Sequence, residues 1–336
     1  MPTVLITGGA GYIGSHTVYA FVDAGYEVVV VDNLSTGVRE CLPEGIAFYR
    51  EDVGNAAAVD AILRRHRPEG VLHFAGSIVV PESVEDPGKY YRNNTVASLT
   101  LAQFCVRNEV RHFVFSSTAA VYGIPEDGVA RETSPTVPVN PYGWSKLMTE
   151  QILADLARAH DLRFAALRYF NVAGADPDGR TGQSTPDATH LVKIACQVAT
   201  GQRPGMSVFG TDYETADGTC IRDFIHVTDL ANAHLAAFTH LCRTGENLVL
   251  NCGNGRGYSV LEVIAALGAV LGRDIPTTHC DRRPGDPPVL VADASAIQQR
   301  LPWRPHYRDL ESIIGSALAW ERILAERSPQ VGAASK

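Results

Sequence analysis

A short apolar strand near the start of the chain runs directly into a glycine-rich turn and then into a helix. Residues 4–6 favour a buried strand, Gly8, Gly11 and Gly14 follow, and the helical pattern continues through 18–22. The first glycine permits the tight bend, the second admits a diphosphate against bare backbone, and the third lets the helix pack on the strand. This order predicts a parallel α/β sheet that binds a dinucleotide at the turn.

The second predicted strand ends in a carboxylate that can select between dinucleotides. Residues 27–31 form a buried-strand run that closes on Asp32. A carboxylate at this place accepts hydrogen bonds from both hydroxyls of an adenosine ribose and repels a 2′-phosphate. Because Asn33 and Leu34 follow, no arginine stands there to neutralise such a phosphate. The sequence therefore predicts NAD as the cofactor, in preference to NADP.

Strands and helices alternate through the rest of the first half, which predicts an α/β fold with a Rossmann-type, doubly wound parallel sheet. The chain returns to this sheet from residue 224 onwards. The further expected elements are strands at 47–49, 70–74, 113–115, 167–171 and 248–250, and helices at 59–63, 89–108, 142–160 and 229–241.

The chain is long enough for a second, smaller lobe. Its 336 residues exceed the usual single-core limit of ~250–300. From residue 172 the sequence becomes rich in Gly, Asp and Pro, which marks a crossing out of the main sheet. We therefore predict an NAD-binding domain of residues 1–173 plus 224–253, a C-terminal substrate lobe of 174–223 plus 254–327, and a loose tail at 328–336.

Composition excludes several classes of protein. A formal charge of −8 argues against nucleic acid and anionic membrane as partners. The seven cysteines form no C-x-x-C pair and the histidines form no H-E-x-x-H group, so we expect free thiols, no disulfide frame and no metal site. No secretory signal precedes the first strand and no apolar run reaches ~18 residues, so we expect a cytoplasmic enzyme without a membrane partner.

A phenol and an ammonium lie four residues apart in the predicted helix that begins at Tyr142. If this helix forms, Tyr142 and Lys146 share one face. A phenol normally ionises near pH ~10, and one cation at ~5 Å stabilises its anion by roughly 3 kcal/mol at an effective dielectric of ~20. Lys146 and an oxidised nicotinamide together could therefore make Tyr142 a base at neutral pH. Ser116 and Thr118, at the end of a predicted strand, supply hydroxyls near the same edge.

Taken together, these motifs resemble the extended short-chain dehydrogenase/reductase family, and in particular its sugar-nucleotide 4-epimerase branch. The three-and-three glycine spacing is that family's variant, and the resemblance extends nearly from end to end. The matching segments are residues 8–16, 32–34, 115–123, 141–146, 168–171 and 218–229.

The resemblance implies NAD-dependent interconversion of UDP-glucose and UDP-galactose by a homodimer. Tyr142 would remove the proton of the sugar 4-hydroxyl while C4 is oxidised, Thr118 would bind the 4-oxygen, and Lys146 would also bind the nicotinamide ribose. The hexose of the 4-keto sugar would then rotate and be reduced from its opposite face. The implied cofactor contacts are Gly8, Gly11, Tyr12, Ile13, Gly14, Asp32, Asn33, Asp52, Val53, Phe74, Ala75, Gly76, Asn94, Ser116, Tyr142, Lys146 and Tyr169. The implied substrate contacts are Thr118, Tyr142, Asn171, His190, Leu191, Ser207, Phe209, Arg222, Arg283, Asp286 and Leu290.

Three positions depart from the family pattern. Ile78 replaces a lysine near the NAD phosphates, so backbone or another cation must compensate. His190 replaces an asparagine and is either a neutral hydrogen-bonding substitute or a structural histidine. Leu290 stands where a tyrosine or a small residue is usual near the sugar, which leaves open whether N-acetylhexosamine or pentose UDP sugars are also substrates.

Two rival functions share this scaffold. A sugar-nucleotide 4,6-dehydratase needs an acid and a base to eliminate water, commonly just after the Thr118 position, where this chain has Ala119 and Ala120. A redox-sensing NAD-binding protein commonly loses the tyrosine or the lysine, and this chain keeps both. The residues therefore favour the epimerase.

Overall fold

The structure is a computed structural model that describes residues 1–185, 188–283 and 285–327. Strands and α-helices are numbered separately in chain order. The strands are β1 Thr3–Thr7, β2 Glu27–Val31, β3 Ala47–Tyr49, β4 Gly70–His73, β5 His112–Ser116, β6 Val129–Ala130, β7 Arg163–Tyr169, β8 Asn171–Ala173, β9 Met206–Phe209, β10 Ile221–His226, β11 Leu248–Cys252, β12 Gly257–Ser259, β13 Thr277–Cys280 and β14 Val289–Ala292. The α-helices are α1 Tyr12–Asp23, α2 Ala56–His66, α3 Val80–Glu85, α4 Pro87–Tyr90, α5 Ala97–Arg107, α6 Pro141–Ala159, α7 Leu191–Ala199, α8 Val227–Thr244, α9 Val260–Leu271, α10 Ser295–Arg300 and α11 Leu310–Arg327.

A seven-stranded parallel sheet forms the larger part of the protein. Its strands follow the order β11-β7-β5-β4-β1-β2-β3. The chain builds outward from β1 to β3 and then crosses to β4 on the other side of β1. Ligands of such sheets bind at the carboxyl ends of the strands where the order reverses, here between β1 and β4. This topology confirms the predicted Rossmann-type, doubly wound fold.

The two faces of the main sheet pack against separate cores because side chains alternate along each strand. In β1, Val4 and Ile6 join one buried cluster, which also includes Val18 of α1 and Phe238 of α8. Leu5 joins the opposite cluster, with residues of α2, α5 and α6. Strands buried on both faces explain why the sequence shows continuous apolar runs in place of alternating ones.

The second sheet is smaller and draws strands from several parts of the chain. Its order is β12-β10-β14-β6, β8 pairs with β10, and β13 and β9 form a separate pair. The first half of β10 pairs with β12 and β14, and its second half pairs with β8. The sequence placed the return to the main sheet at residue 224, in the middle of β10. In the structure this return is made by α8 and β11, while β10 stays in the smaller sheet.

The predicted helix at 89–108 forms, but it is not α-helical throughout. The chain forms α4, then a π-helical turn at Tyr91–Val96, then α5. Within the turn, Asn94 is buried, and its amide bonds to the Ser77 backbone and to the Ser145 hydroxyl. A periodicity of 3.6 residues cannot reveal such a turn, because it depends on these distant partners. Among the described residues, no helix is both long and apolar enough to cross a bilayer.

Candidate active site

Helix α6 places Tyr142 and Lys146 on its buried face, as their spacing predicted. Asn140 caps the helix by accepting a hydrogen bond from the Gly143 N–H at 2.8 Å, and Pro141 occupies the first turn. Tyr142 is 8% exposed and Lys146 is 3% exposed. A buried, capped helix start fixes both side chains at the carboxyl edge of the main sheet.

The ammonium of Lys146 is held by backbone and by an aromatic ring. Its Nζ donates to the Ser116 carbonyl oxygen at 3.0 Å and lies 4.9 Å from the centre of the Phe115 ring. Burial lowers the pKa of Lys146 to about 8, although the Glu150 carboxylate acts in the opposite direction. The side chain is therefore still mainly a cation at neutral pH, as a partner for a phenolate must be.

Burial of Tyr142 favours the neutral form of its phenol. Burial raises the pKa of Tyr142, and the hydroxyl of Thr118, which faces it, lowers it. Lys146, the cation predicted to lower the pKa of Tyr142, donates its hydrogen bond to the carbonyl of Ser116. The predicted role of Tyr142 as a base needs an oxidised nicotinamide as a second cation. Activation of the phenol is therefore linked to cofactor binding.

The hydroxyls at the end of β5 have different partners. The Ser116 hydroxyl lies 2.6 Å from the Tyr169 hydroxyl, so these two predicted cofactor contacts are adjacent. Thr118 is buried and caps a 3₁₀ turn at Ala119–Tyr122, where its Oγ1 accepts from the Ala120 N–H at 3.1 Å. This cap holds Thr118 beside Tyr142.

Sequence reasoning missed a buried ion pair between Glu150 of α6 and Arg168 of β7. Arg168 donates to both carboxylate oxygens of Glu150, with Nη2 to Oε2 at 2.6 Å and Nε to Oε1 at 3.0 Å. Glu150 also accepts from the Ser117 hydroxyl, and Arg168 donates to the Tyr122 hydroxyl at 3.0 Å. Burial acts to lower the pKa of Arg168, but its bonds to Glu150 outweigh burial and raise it. The one available signal was that Glu150 lies a helical turn after Lys146.

The glycine turn fits a dinucleotide. Gly8 has φ of 67°, and a Cβ there would lie 2.5 Å from the Ala75 nitrogen. A Cβ at Gly14 would lie 2.1 Å from the Gly8 carbonyl oxygen, whereas at Gly11 its nearest neighbour is 3.2 Å away. Gly8 and Gly14 thus serve close packing, while Gly11 has more room. Tyr12 and Ile13 begin α1 directly after the turn.

Asp32 directly follows β2 and lies beside the glycine turn, where it is predicted to bind the adenosine ribose. Its carboxylate accepts from the Ala10 N–H at 2.9 Å and the Leu34 N–H at 2.8 Å. Burial raises the pKa of Asp32, and these two bonds act against it. Asn33 donates to Asp52 at 3.0 Å, which brings two further predicted cofactor contacts together. Val53, by contrast, is buried in the core beside the strand ends.

The loop after β4 completes the cofactor cleft. Phe74, Ala75 and Gly76 follow the strand, and a Cβ at Gly76 would lie 3.0 Å from the Asn94 Oδ1 and 3.7 Å from the Lys146 Nζ. The predicted cofactor residues of β4, the π-helical turn and α6 therefore converge on one place. Ile78, which replaces the family lysine, is 51% exposed.

The predicted substrate residues of the smaller lobe form two groups. Arg222 donates to Asp286 at 2.9 Å and stands in register with Leu290 on the neighbouring strand. The guanidinium of Arg283 lies 3.9 Å from the centre of the Phe209 ring. Ser207, on the same strand as Phe209, is exposed. These residues can present two cations to a nucleotide diphosphate.

The other group lies where α7 begins. His190 precedes Leu191, the first residue of that helix, and its Nδ1 lies 3.2 Å from the Gln183 Nε2. Burial lowers the pKa of His190, so the ring is neutral. Because an amide N–H donates to Nδ1, the ring proton sits on Nε2, which keeps one donor available. Asn171 is exposed at the start of β8.

These features define the class of protein. A family model described as the NAD dependent epimerase/dehydratase family matches residues 4–253, and the chain belongs to this family. The UDP-glucose 4-epimerase of Azospirillum brasilense is 58% identical over 332 residues, which cover 99% of this chain and 95% of that relative. The resemblance inferred from the sequence motifs is therefore confirmed.

Solved structures agree with this assignment. The UDP-glucose 4-epimerase from Brucella ovis in complex with NAD has a TM-score of 0.92 at 44% identity, covering 95% of this chain and 98% of that chain. The UDP-Glc/GlcNAc 4-epimerase from Campylobacter jejuni has a TM-score of 0.83 at 46% identity, covering 96% of this chain and 100% of that chain.

Proposed function

We propose that the protein is an NAD-dependent isomerase that interconverts UDP-glucose and UDP-galactose. The observation that carries this proposal is the buried pair of Tyr142 and Lys146, which share one face of α6 beside Thr118 at the carboxyl edge of the sheet. Family membership and the names of the relatives support the same reaction.

In this proposal each step is assigned to a residue of the cleft. Bound NAD⁺ would supply the hydride acceptor for C4 and return the hydride later. Tyr142 removes the proton of the sugar 4-hydroxyl, and Thr118 keeps the 4-oxygen in place by a hydrogen bond. The 4-keto hexose then turns about its diphosphate, which Arg222 and Arg283 hold, and Tyr142 returns the proton. Lys146 holds the ribose beside the nicotinamide and supplies a positive field.

The direct test is to incubate the purified protein with UDP-galactose, without added NAD, and to follow UDP-glucose by chromatography. The proposal predicts UDP-glucose as the product and no net consumption of cofactor. A 4,6-dehydratase would instead yield a 4-keto-6-deoxy sugar nucleotide. No carboxylate directly follows Thr118 to support that reaction, since Ala119 and Ala120 form the 3₁₀ turn. A redox sensor would yield no product.

A reaction that regenerates its own cofactor leads to the expectation that the protein purifies with NAD partly bound. Asp32, at the end of β2, would favour NAD through its carboxylate. Denaturing the protein and assaying the supernatant should recover chiefly NAD. Recovery chiefly of NADP would mean that the role of Asp32 was misjudged.

Leu290 is proposed to set the preference between plain and N-acetylated hexoses. A rotating N-acetyl sugar sweeps a larger volume, and leucine is intermediate between tyrosine and a small residue. We expect UDP-glucose and UDP-galactose as the main pair and slower conversion of UDP-N-acetylglucosamine, because partial relief of a clash is worth ~1–3 kcal/mol, or about 10–200-fold. The relevant comparison is kcat/KM for both substrates in wild type, Leu290→Ser and Leu290→Tyr.

If the ratio of the two kcat/KM values is the same in all three proteins, Leu290 does not set the preference between the two substrates. The packing makes this outcome a real alternative, since the half-buried Leu290 side chain also contacts the main core. Pentose UDP sugars can be compared in the same assay.

We propose a homodimer joined along the outer faces of two helical segments, 89–108 and 142–160, which correspond to the π-helical turn with α5 and to α6. Trp144 and Met148 lie one turn apart on α6 and are 39% and 40% exposed, and Val96 beside them is 55% exposed. Phe104 and Leu156, on the same two helical segments, pack against the protein's own core, and Leu99 is half-buried. An exposed apolar stripe across α6 and the π-helical turn suits an isologous contact.

Light scattering at micromolar concentration should therefore report a dimer. Met148→Glu places a charge in the proposed seam and should shift the mass towards the monomer. Val270→Glu is the matched control, because Val270 is 42% exposed on α9, away from these helices. A wild-type monomer, or equal effects of both substitutions, would contradict the proposal.

The division into an NAD-binding domain of 1–173 plus 224–253 and a UDP-sugar-binding lobe of 174–223 plus 254–327 also stays a proposal. The main sheet supports it in part, since its strands fall in the first of these regions. The predicted tail at 328–336 lies outside the described residues. A cytoplasmic location is likewise proposed, and it is supported by seven cysteines that are all free.

A further inference from the structure

Three side chains with metal-binding atoms meet at the edge of the main sheet opposite the candidate active site. Glu69 directly precedes β4, His112 begins β5, and Cys242 lies in α8. One ligand atom from each of the three lies within 4.8 Å of the other two. The candidate active site is at the far ends of these strands, after about 13 Å of β4. The three residues therefore belong to a separate place.

One distance in this cluster matches that between two ligands of a tetrahedral ion. The Cys242 Sγ lies 3.6 Å from the His112 Nδ1. Zinc bonds of ~2.3 Å to sulfur and ~2.05 Å to nitrogen, at a tetrahedral angle, place those two atoms about 3.5 Å apart. The same nitrogen donates a hydrogen bond to the backbone oxygen of Glu69 at 3.1 Å, and a metal ion bound to Nδ1 would replace this bond.

We propose that Glu69, His112 and Cys242 form a binding site for one Zn²⁺ ion per chain. The thiolate, the imidazole Nδ1 and the Glu69 carboxylate are its side-chain ligands, and a water molecule would complete the tetrahedral shell. Thiolate, imidazole and carboxylate together form a donor set typical of zinc.

The site is open enough for a cation to enter. Glu69 is exposed, and His112 and Cys242 are half-buried, so the ligands are reachable from solvent. The neighbouring guanidinium of Arg163, on the strand beside His112, is turned towards Asp161 at 3.5 Å. The edge of the Phe238 ring packs near the His112 ring, with centroids 6.1 Å apart, and limits its movement.

The carboxylate of Glu69 faces the thiol. Burial and Glu69 both raise the pKa of the Cys242 thiol. On binding, the thiol proton leaves to solvent as the Zn–S bond forms. The proton on the His112 Nδ1 leaves as well while a solvent proton binds Nε2, so the ring stays neutral and charge and atoms balance. The ion would link the amino ends of β4 and β5 to α8.

Sequence motifs could not indicate this site because its ligands are far apart in the chain. His112 is 43 residues from Glu69, and Cys242 is 130 residues from His112. No short spacing motif covers such distances. The expectation of no metal site rested on those motifs alone.

The test uses the full-length protein with its bound cofactor, treated with EDTA and dialysed against micromolar free Zn²⁺. Wild type should retain about one zinc per chain, and Co²⁺ in its place should give a thiolate-to-metal absorption band in the near ultraviolet. Cys242→Ser should abolish the band and weaken zinc binding by roughly tenfold or more. His112→Gln should weaken zinc binding in the same way.

Cys280→Ser is the matched control, because Cys280 is also a half-buried free thiol but lies on β13 of a different sheet. It should retain the zinc and the cobalt band. One equivalent of zinc should raise the Tm of wild type and of Cys280→Ser, but not that of Cys242→Ser, and should leave epimerase turnover unchanged. Failure of wild type to retain zinc, or equal binding by Cys242→Ser and Cys280→Ser, would overturn the proposal whatever the enzyme's activity.

Discussion

Tyr142→Phe is expected to lower turnover by about 10²–10⁴-fold, the range typical of losing a general base, while UDP binding changes little. The substitution removes only the phenol oxygen, which faces Thr118 on the buried side of α6. Steady-state kinetics with UDP-galactose and calorimetric titration with UDP separate the two effects.

Tyr258→Phe provides the control for that experiment. Tyr258 is 6% exposed, close to the 8% of Tyr142, but it lies on β12 in the smaller sheet. It should keep nearly full turnover. A Tyr142→Phe enzyme within about threefold of wild type would remove Tyr142 from the proposed mechanism.

Glu150→Ala is expected to lower the free energy of unfolding by about 3–5 kcal/mol, because it leaves the buried Arg168 guanidinium without its partner. The side chains of Arg168 and Glu150 are only 8% and 6% exposed. Since whole domains are stable by only about 5–15 kcal/mol, this is a large part of the total. Urea denaturation followed by circular dichroism measures the loss.

Asp155→Ala is the matched substitution in the same helix. Asp155 pairs with Arg158 at 2.9 Å, but these side chains are 59% and 75% exposed. Exposed pairs contribute about 0–1 kcal/mol, so this variant should stay close to wild type. If both variants lose a similar amount of unfolding free energy, the buried Glu150–Arg168 pair matters no more to stability than the exposed Asp155–Arg158 pair.

The parts of the fold that the sequence predicted are those decided by neighbours along the chain. Apolar, β-branched runs gave the strands of the main sheet, and the spacing of Tyr142 and Lys146 gave a shared helical face. The glycine turn depends on backbone room, which the absence of side chains at Gly8 and Gly14 reveals directly.

The parts that sequence reasoning missed depend on partners distant in the chain. Glu150 and Arg168 are 18 residues apart, and only the packing of α6 against β7 joins them. The π-helical turn depends on the contact of Asn94 with Ser145, 51 residues away. Spacing also could not show that burial raises the pKa of Tyr142.

Strand β10 has a consequence for how the sugar can move. One half of this strand pairs with β12 and β14, the other half pairs with β8, and α8 continues from it directly onto the main sheet. Strand β10 is thus hydrogen-bonded along its whole length, and a wide swing of β12 and β14 away from β8 would have to break or bend it. During the proposed reaction, the residues that line the cleft stay in place and only the hexose turns. The rigid backbone around the cleft therefore retains the 4-keto sugar intermediate of the proposed reaction.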